Sequence, residues 1–361
     1  MKINLVMIVK NEERSLERCL KAAAPFVDEM IVVDTGSADR TVEIARRMGA
    51  CVKTFTWVND FSAARNYALD QSDADWNLVL DADEYIRDCD GERLRSELAA
   101  RPGRWIGGIM LYDSYRDEEG VSVSTSVLPR LLPRGVRYTG AIHEQPDGDC
   151  PCYAVSLSAD HDGYLYTDKG ERNLPYLERA VKEHPEDGYY RFQIASTLRN
   201  LKRPEESLPH FRAFYRLTDP GDGYRAGGIV LYLYTLLDLG NAACLDEAAG
   251  IIERETETLG DWSDFCFVCG LFYMKRVLSD VVRYIDLLPY IERCYLKCLS
   301  LGDRAETGGV VGTGSFKAAY NLGAWYEVSG QTELALKYYR MAAKEGYGPA
   351  IKRLEENGTR L

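Results

Sequence analysis

No run of apolar residues in this sequence approaches the roughly 18 that cross a membrane. The longest candidate, Ile229 to Leu237, is interrupted by tyrosines and ends in Leu-Asp-Leu-Gly. No block of lysine and arginine stands out, and 44 basic against 56 acidic residues leave a net charge of −12. That balance argues against a nucleic-acid backbone as the main partner, because phosphates attract clustered positive charge. A signal peptide is not expected either. Met1 to Val9 is basic then apolar, but the apolar stretch is short, and Lys10-Asn11-Glu12-Glu13-Arg14 follows without a small-residue cleavage site. The stretch reads as a first strand, and the expected location is the cytoplasm. No Gly-x-Gly-x-x-Gly follows that strand, against a dinucleotide-binding domain. No Gly-Lys-Ser/Thr loop occurs, against ATP hydrolysis.

Cysteine is present in quantity, with ten residues, but in a cytosolic chain that does not imply disulfides. Cys266, Cys269, Cys294 and Cys298 admit two readings. They make a four-thiolate zinc set by count, or small apolar residues on packed helices, with Cys294 and Cys298 one turn apart. A length of 361 residues makes two domains the expectation.

The first part alternates strand and helix. Strands are expected at Asn4 to Val9, Glu29 to Asp34, Cys51 to Trp57 and Trp76 to Asp81. Helices are expected after Asn11, with Leu16, Cys19, Leu20 and Ala23 on one face, then up to Met48 with Gly49 as C-cap, and over Phe61 to Asp70. This rhythm predicts a parallel sheet covered on both faces. From Trp105 to about Tyr166 the pattern changes. Trp105 to Leu111, Ser122 to Leu132 and Tyr153 to Leu157 read as mixed or antiparallel strands extending that sheet, the first two separated by the polar turn Arg116 to Gly120.

From about Gly170 strand signals cease, and Asn173 to His184 opens a series of helices. Tyr190 to Ala195 with Glu206 to Phe211, and Tyr320 to Tyr326 with Leu334 to Tyr339, read as copies of one unit. Leu322, Gly323, Tyr326, Ala335, Tyr339 and Ala342 sit at tetratricopeptide offsets. A degenerate copy runs from Gly270 and Tyr273 to Tyr295 and Cys298, with an insertion between its helices. Such repeats stack into curved arrays whose concave face binds peptides.

Four polar clusters follow the four early strands: Lys10-Asn11-Glu12, Asp34-Thr35-Gly36-Ser37, Asn59 to Asn66, and Asp81-Ala82-Asp83-Glu84. In a parallel sheet all four land on the rim where ligands bind. Asp81-x-Asp83 ending a buried strand is suited to a divalent cation, because hard cations want oxygen ligands.

Val-Lys-Asn-Glu-Glu, Val-Val-Asp-Thr-Gly-Ser-x-Asp-x-Thr, Asp-Phe-Ser-x-Ala-Arg-Asn and Leu-Asp-Ala-Asp-Glu, in this order, resemble family 2 glycosyltransferases of the GT-A fold. The resemblance covers about the first 165 residues. The fusion to tetratricopeptide-like helices resembles a subgroup that includes bacterial peptide S-glycosyltransferases. The expected architecture is therefore a Rossmann-like α/β GT-A domain at 1–168, then an all-α tetratricopeptide-like domain at 169–361.

The resemblance implies a nucleotide-sugar donor, usually a uridine diphosphate sugar, inversion at the anomeric carbon, and Mn²⁺ or Mg²⁺. It assigns donor contacts to Val9, Asn11, Glu12, Asp34, Gly36, Arg65, Asp81 and Ala82. Asp34 would accept a hydrogen bond from the base, and Arg65 would stack on or bond to the nucleotide. Thr35 and Ser37 contact the donor or simply cap the second helix. Asp81 would hold the ribose or a metal-bound water, and Asp83 would ligate the metal. Glu84 is either a supporting residue or solvated. His161, in Asp160-His161-Asp162-Gly163, fits the late metal ligand of this fold; its plain alternative is a turn histidine. An inverting transfer needs a base. Glu144, in His143-Glu144-Gln145-Pro146, is the first candidate and Asp113 the second, and a surface pair holding a loop is the plain alternative for His143 and Glu144.

Three readings follow. The first is a metal-dependent inverting transferase acting on a peptide side chain, cysteine or Ser/Thr, with the helical domain positioning the acceptor. The second is a transferase of cell-surface polysaccharide synthesis, and the third an inactive repeat-based scaffold. The expected partners are the donor and a peptide or glycan acceptor, with a homodimer left open.

Overall fold

The computed structural model describes residues 1–117, 120–148, 150–163, 170–303, 308–356 and 358. Two compact units are present: Met1–Arg116 with Val123–Lys169 and Glu306–Gly308, and Asp117–Ser122 with Gly170–Ala305 and Gly309–Leu361. The expected border at 168/169 lies outside the described residues. No helix among the described residues is long and apolar enough to cross a membrane.

In the first unit the strands are β1 (Ile3–Val9), β2 (Glu29–Asp34), β3 (Cys51–Thr54), β4 (Trp76–Val79), β5 (Glu84–Cys89), β6 (Ile106–Asp117), β7 (Gly120–Pro133), β8 (Tyr138–Thr139), β9 (Gln145–Pro146) and β10 (Cys152–His161). The helices are α1 (Leu16–Ala23), α2 (Thr41–Arg47), α3 (Phe61–Asp70) and α4 (Gly91–Ala100). The large sheet runs β3-β2-β1-β4-β7-β6-β10-β5. Its first four strands are parallel, and Val9 pairs with Asp34, which pairs with Thr54. The strands therefore end level, and the loops that follow them share one rim.

Side chains alternate along β1 because a strand's period is two. Ile3, Leu5, Met7 and Val9 join the core under α1, α2 and α4, and Val6 joins the core under α3. All of β4 is buried, as a central strand covered on both faces must be. In α1 the four residues expected on one face, Leu16, Cys19, Leu20 and Ala23, are its buried ones.

The second half of the sheet is mixed. β7 is antiparallel to β4, β10 is parallel to β6, and β5 is antiparallel to β10. β5 was not expected: its burial fades after Tyr85, so it carries no apolar run. Strand three stops at Thr54, short of the expected Trp57. The strands expected to end at Leu111 and to begin at Ser122 extend to Asp117 and from Gly120. Of the polar turn between them, Glu118 and Glu119 lie outside the described residues.

The second unit is helical: α5 (Gly170–Glu183), α6 (Gly188–Asn200), α7 (Pro204–Leu217), α8 (Arg225–Leu239), α9 (Ala242–Leu259), α10 (Ser263–Ser279), α11 (Leu288–Leu301), α12 (Phe316–Val328), α13 (Thr332–Lys344) and α14 (Gly348–Glu356). The single turns Val281–Tyr284 and Ile285–Leu287 form the insertion expected between α10 and α11. Close approach of paired helices explains the glycines. A Cβ at Gly323 on α12 would lie 2.7 Å from the ring of Tyr339 on α13, and one at Gly270 on α10 would lie 2.8 Å from the ring of Tyr295 on α11. Both tyrosines are at most 1% exposed and cannot swing away. The four cysteines weighed as a zinc set pack among these helices. The thiol of Cys266 donates to the carbonyl of Gly260 at 3.2 Å and that of Cys298 to Ser263 at 3.4 Å. Among the described residues no group of three or more His, Cys, Asp or Glu is arranged to hold a metal.

Gly323→Ala should therefore destabilise the protein by roughly 1–3 kcal/mol through overpacking. Gly227→Ala, whose Cβ would meet nothing within 4 Å in α8, should be neutral or stabilise by up to about 1 kcal/mol. Thermal unfolding of the two variants side by side checks this, and equal midpoints would remove the close-packing account.

Candidate active site

The rim loops after β1 and β2 are laced together. Asp34 is buried, and its carboxylate accepts the N–H groups of Gly36 at 3.2 Å and Ser37 at 3.1 Å. Gly36 has φ +108°, a conformation that favours glycine, and a Cβ there would meet nothing within 4 Å. Asn11 Oδ1 accepts from Ala38 N at 2.8 Å, and Asn11 N donates to Ser37 Oγ at 2.9 Å. Glu12 N donates to Thr41 Oγ1 at 2.7 Å, and the carbonyl of Val9 accepts the Thr35 N–H at 2.9 Å. Val9, Asn11, Glu12, Asp34 and Gly36 thus form one polar shelf. Thr35 and Ser37 do not cap the second helix. That helix begins at Thr41 after Arg40, which makes no side-chain cap, and Asp39 accepts from Thr41 N at 2.9 Å. The two hydroxyls serve the shelf instead: Thr35 Oγ1 donates to the carbonyl of Val9 at 3.1 Å.

Beside the shelf lies a buried charge network. Asp60 caps α3 by accepting from Ala63 N at 2.9 Å, and α3 presents Arg65, which is 6% exposed. Arg65 Nη2 donates to Asp81 Oδ1 at 2.8 Å, and Nε pairs with Glu144 Oε1. From β7, Arg130 Nη2 donates to Asp81 Oδ2 at 3.0 Å and also pairs with Glu84 Oε1. Asp81 N donates to Glu84 Oε2 at 3.1 Å. Glu84 is 1% exposed, which settles it as a supporting residue and not a solvated one. Burial pushes its pKa up, against the pull of Arg130. Burial disfavours the charge on Arg65, but Asp81 and Glu144 outweigh it and hold the proton.

The short pair β8–β9 brackets the loop that carries Glu144. Asn66 ties that loop to α3: its Nδ2 donates to the carbonyl of Tyr138 at 2.9 Å, and its Oδ1 accepts from Tyr138 N at 2.8 Å. His143 has φ +49°, and burial lowers its pKa, which favours the neutral ring. Buried polar atoms without a hydrogen-bond partner gather here: Arg65 Nη1, Arg130 Nε, Tyr138 Oη and His143 Nε2.

The third part is the corner of Asp83 and His161. Asp83 is 5% and His161 8% exposed, with Asp83 Oδ2 3.5 Å from His161 Nε2. His161 Nδ1 lies 2.6 Å from Asp113 Oδ1, so the second candidate base is engaged with the imidazole. Burial alone would lower the His161 pKa, but Asp113 and Asp83 raise it to about 10. A Cβ at residue 163 would lie 2.1 Å from Asp83 Oδ2 and 2.7 Å from His161 Nε2, so only glycine lets the chain pack this closely against the pair. Ala82 is buried between the two aspartates in sequence.

Sequence reasoning missed Arg130, Tyr138 and Gly163. Arg130 carried a signal, as an arginine set among Val127, Leu128, Leu131 and Leu132 in a strand, where charge is rarely buried unpaired.

A Rossmann-like mixed sheet with acidic and basic residues gathered on its rim, followed by tetratricopeptide-like helices, is the architecture of a GT-A-type domain fused to repeats. More particularly, residues 5–141 match the model of Glycosyl transferase family 2. A TPR repeat-containing protein of Synechococcus elongatus is 34% identical over 206 residues, 52% of this chain and 50% of that protein. The SPbeta prophage-derived glycosyltransferase SunS of Bacillus subtilis is 26% identical over 299 residues, 78% of this chain and 69% of SunS. The chain thus spans about half the length of the Synechococcus relative. Among solved structures, MamA overlaps 51% of this chain and 98% of its own, at 17% identity and a TM-score of 0.37.

If Arg130 clamps Asp81 and Glu84, Arg130→Met leaves a buried carboxylate unpaired and should cost about 3–5 kcal/mol. Adding Glu84→Gln should restore much of that loss. Urea unfolding of both single variants and the double variant gives the coupling, and strictly additive losses would rule out the clamp.

Proposed function

We propose that the protein transfers a sugar, with inversion, from a nucleoside diphosphate sugar to an acceptor, with help from a divalent cation. The observation that carries this reading is the Asp83–His161 corner, with Gly163 packed closely against it, beside a stretch that matches the family 2 model. One carboxylate oxygen and one imidazole nitrogen suit Mn²⁺, with Mg²⁺ the harder alternative. A cation there would neutralise charge building on the departing diphosphate. With two protein ligands, its remaining positions would fall to diphosphate oxygens and water.

In this reading the shelf of Val9, Asn11, Glu12, Asp34 and Gly36 receives the nucleoside, a uridine in the form we favour. Asp81, gripped by two arginines, presents a fixed acceptor to the ribose, and Ala82 lines the turn. Partnerless donors on Arg65, Arg130 and Tyr138 are costly in a dry interior, and their gathering beside Asp81 supports a site completed by ligand oxygens or ordered water. Glu144 serves as base through Oε2, since Oε1 faces Arg65. The acceptor is a peptide side chain, because tetratricopeptide-like arrays present extended binding surfaces. The helices of 170–361 would carry the peptide, and the protein would work in the cytoplasm.

Release of nucleoside diphosphate from a panel of nucleotide sugars, with and without Mn²⁺, tests the reading. Asp83→Ala should abolish metal-dependent release with unchanged circular dichroism, and undiminished release would remove Asp83 from the site. Glu144→Gln should slow transfer to a hydroxyl acceptor by roughly 10²–10⁴-fold, and much less to a cysteine peptide, whose thiol ionises near neutral pH. Equal, small effects on both acceptors would place the base elsewhere. Transfer to a glycan precursor but to no peptide would favour cell-surface polysaccharide synthesis.

A further inference from the structure

The sheet register places three functional side chains side by side. His161 at the end of β10 pairs with Glu84 on β5, and on the other side with Asp113 on β6. Residues paired across neighbouring strands share a face. The imidazole is therefore held between the Asp83–Glu84 turn and Asp113. Its Nδ1 lies 2.6 Å from Asp113 Oδ1, and its Nε2 lies 3.5 Å from Asp83 Oδ2. The other carboxylate oxygen of Asp113 accepts from Ser126 Oγ on β7 at 3.5 Å, so the carboxylate is itself steadied.

We propose that Asp113 is a positioning residue for cation binding: it accepts the Nδ1–H of His161, which fixes the ring with Nε2 towards Asp83, the nitrogen that would give up its proton on taking a cation. The inference rests on the cation reading of the Asp83–His161 corner. A neutral imidazole has one N–H and one lone pair, and the partner of one nitrogen decides which end is left for a metal. A carboxylate behind a ligating histidine also makes the ring more basic. Without Asp113 the ring is free to turn about its side-chain torsions and present the wrong nitrogen. The role differs from that of a base acting on the acceptor, because Asp113 Oδ1 is occupied by His161.

The test uses the full chain and Mn²⁺ alone, with free Mn²⁺ read by electron paramagnetic resonance. His161→Ala and Asp83→Ala report on the corner, and Asp113→Ala and Asp113→Asn on the proposal. Asp113→Ala should weaken Mn²⁺ binding roughly 10–100-fold. Asp113→Asn keeps an oxygen where Nδ1–H can reach it and should recover a large part of that loss. Unchanged Mn²⁺ affinity in both Asp113 variants, with His161→Ala weakened, overturns the proposal and leaves the cation reading standing. Unchanged affinity in His161→Ala and Asp83→Ala overturns the cation reading, and the proposal falls with it. Should Asp113→Ala fail to fold, Asp113→Asn decides alone: a measurable loss of affinity supports the proposal, and wild-type affinity with lost sugar transfer assigns Asp113 to proton transfer instead.

Discussion

Two buried guanidinium groups holding one aspartate are the constraint on which the site depends. Arg65 takes one oxygen of Asp81 and Arg130 the other. Each arginine also reaches a second carboxylate, Glu144 for Arg65 and Glu84 for Arg130. Burying charge is expensive, and such pairs survive in a dry interior only when their hydrogen bonds are well placed. This network therefore fixes geometry more than it adds stability. With Asp81 gripped from both sides and its N–H bonded to Glu84, the turn that carries Asp83 has little freedom. Asp83 is set beside His161 on a turn whose neighbours are tied down.

The network also separates the two aspartates of the Asp-x-Asp motif chemically. Asp81 faces two positive charges. Asp83 lies beside an imidazole, with Gly163 packed closely against it. The division follows from which strands flank the motif: β7 brings Arg130 beside the end of β4, while β10 brings His161 beside the start of β5.

Much of this was legible in the sequence because periodicity and polarity change at the same points. The apolar strands β1, β2 and β4 each run into polar clusters, and a parallel sheet places those clusters on one rim. Leu322, Gly323 and Tyr339 disclosed a helical repeat because glycine against tyrosine is the signature of two helices in close approach. Other features were hidden by their chemistry. β5 reads Glu-Tyr-Ile-Arg-Asp-Cys and has no apolar run, because it is the last strand in the sheet's order and its far end is exposed. Asp113 and Arg130 sit far in sequence from their partners, 48 residues in one case and 49 and 46 in the other. The pairing of β6 with β10 brings Asp113 to its partner, and that of β7 with β4 brings Arg130 to Asp81. Thr35 and Ser37 looked like helix caps because their residue types suit that role, but the helix starts later and the hydroxyls lace loops instead.

Glycine 163 shows how one absent atom can shape the corner. The chain leaves β10 directly after His161, and the Asp162 N–H donates to the carbonyl of Asp83 at 3.4 Å. That bond draws residue 163 over the two side chains. Any Cβ there would fall within bonding distance of Asp83 Oδ2, so a larger residue would either displace the carboxylate or push the chain away and break the contact.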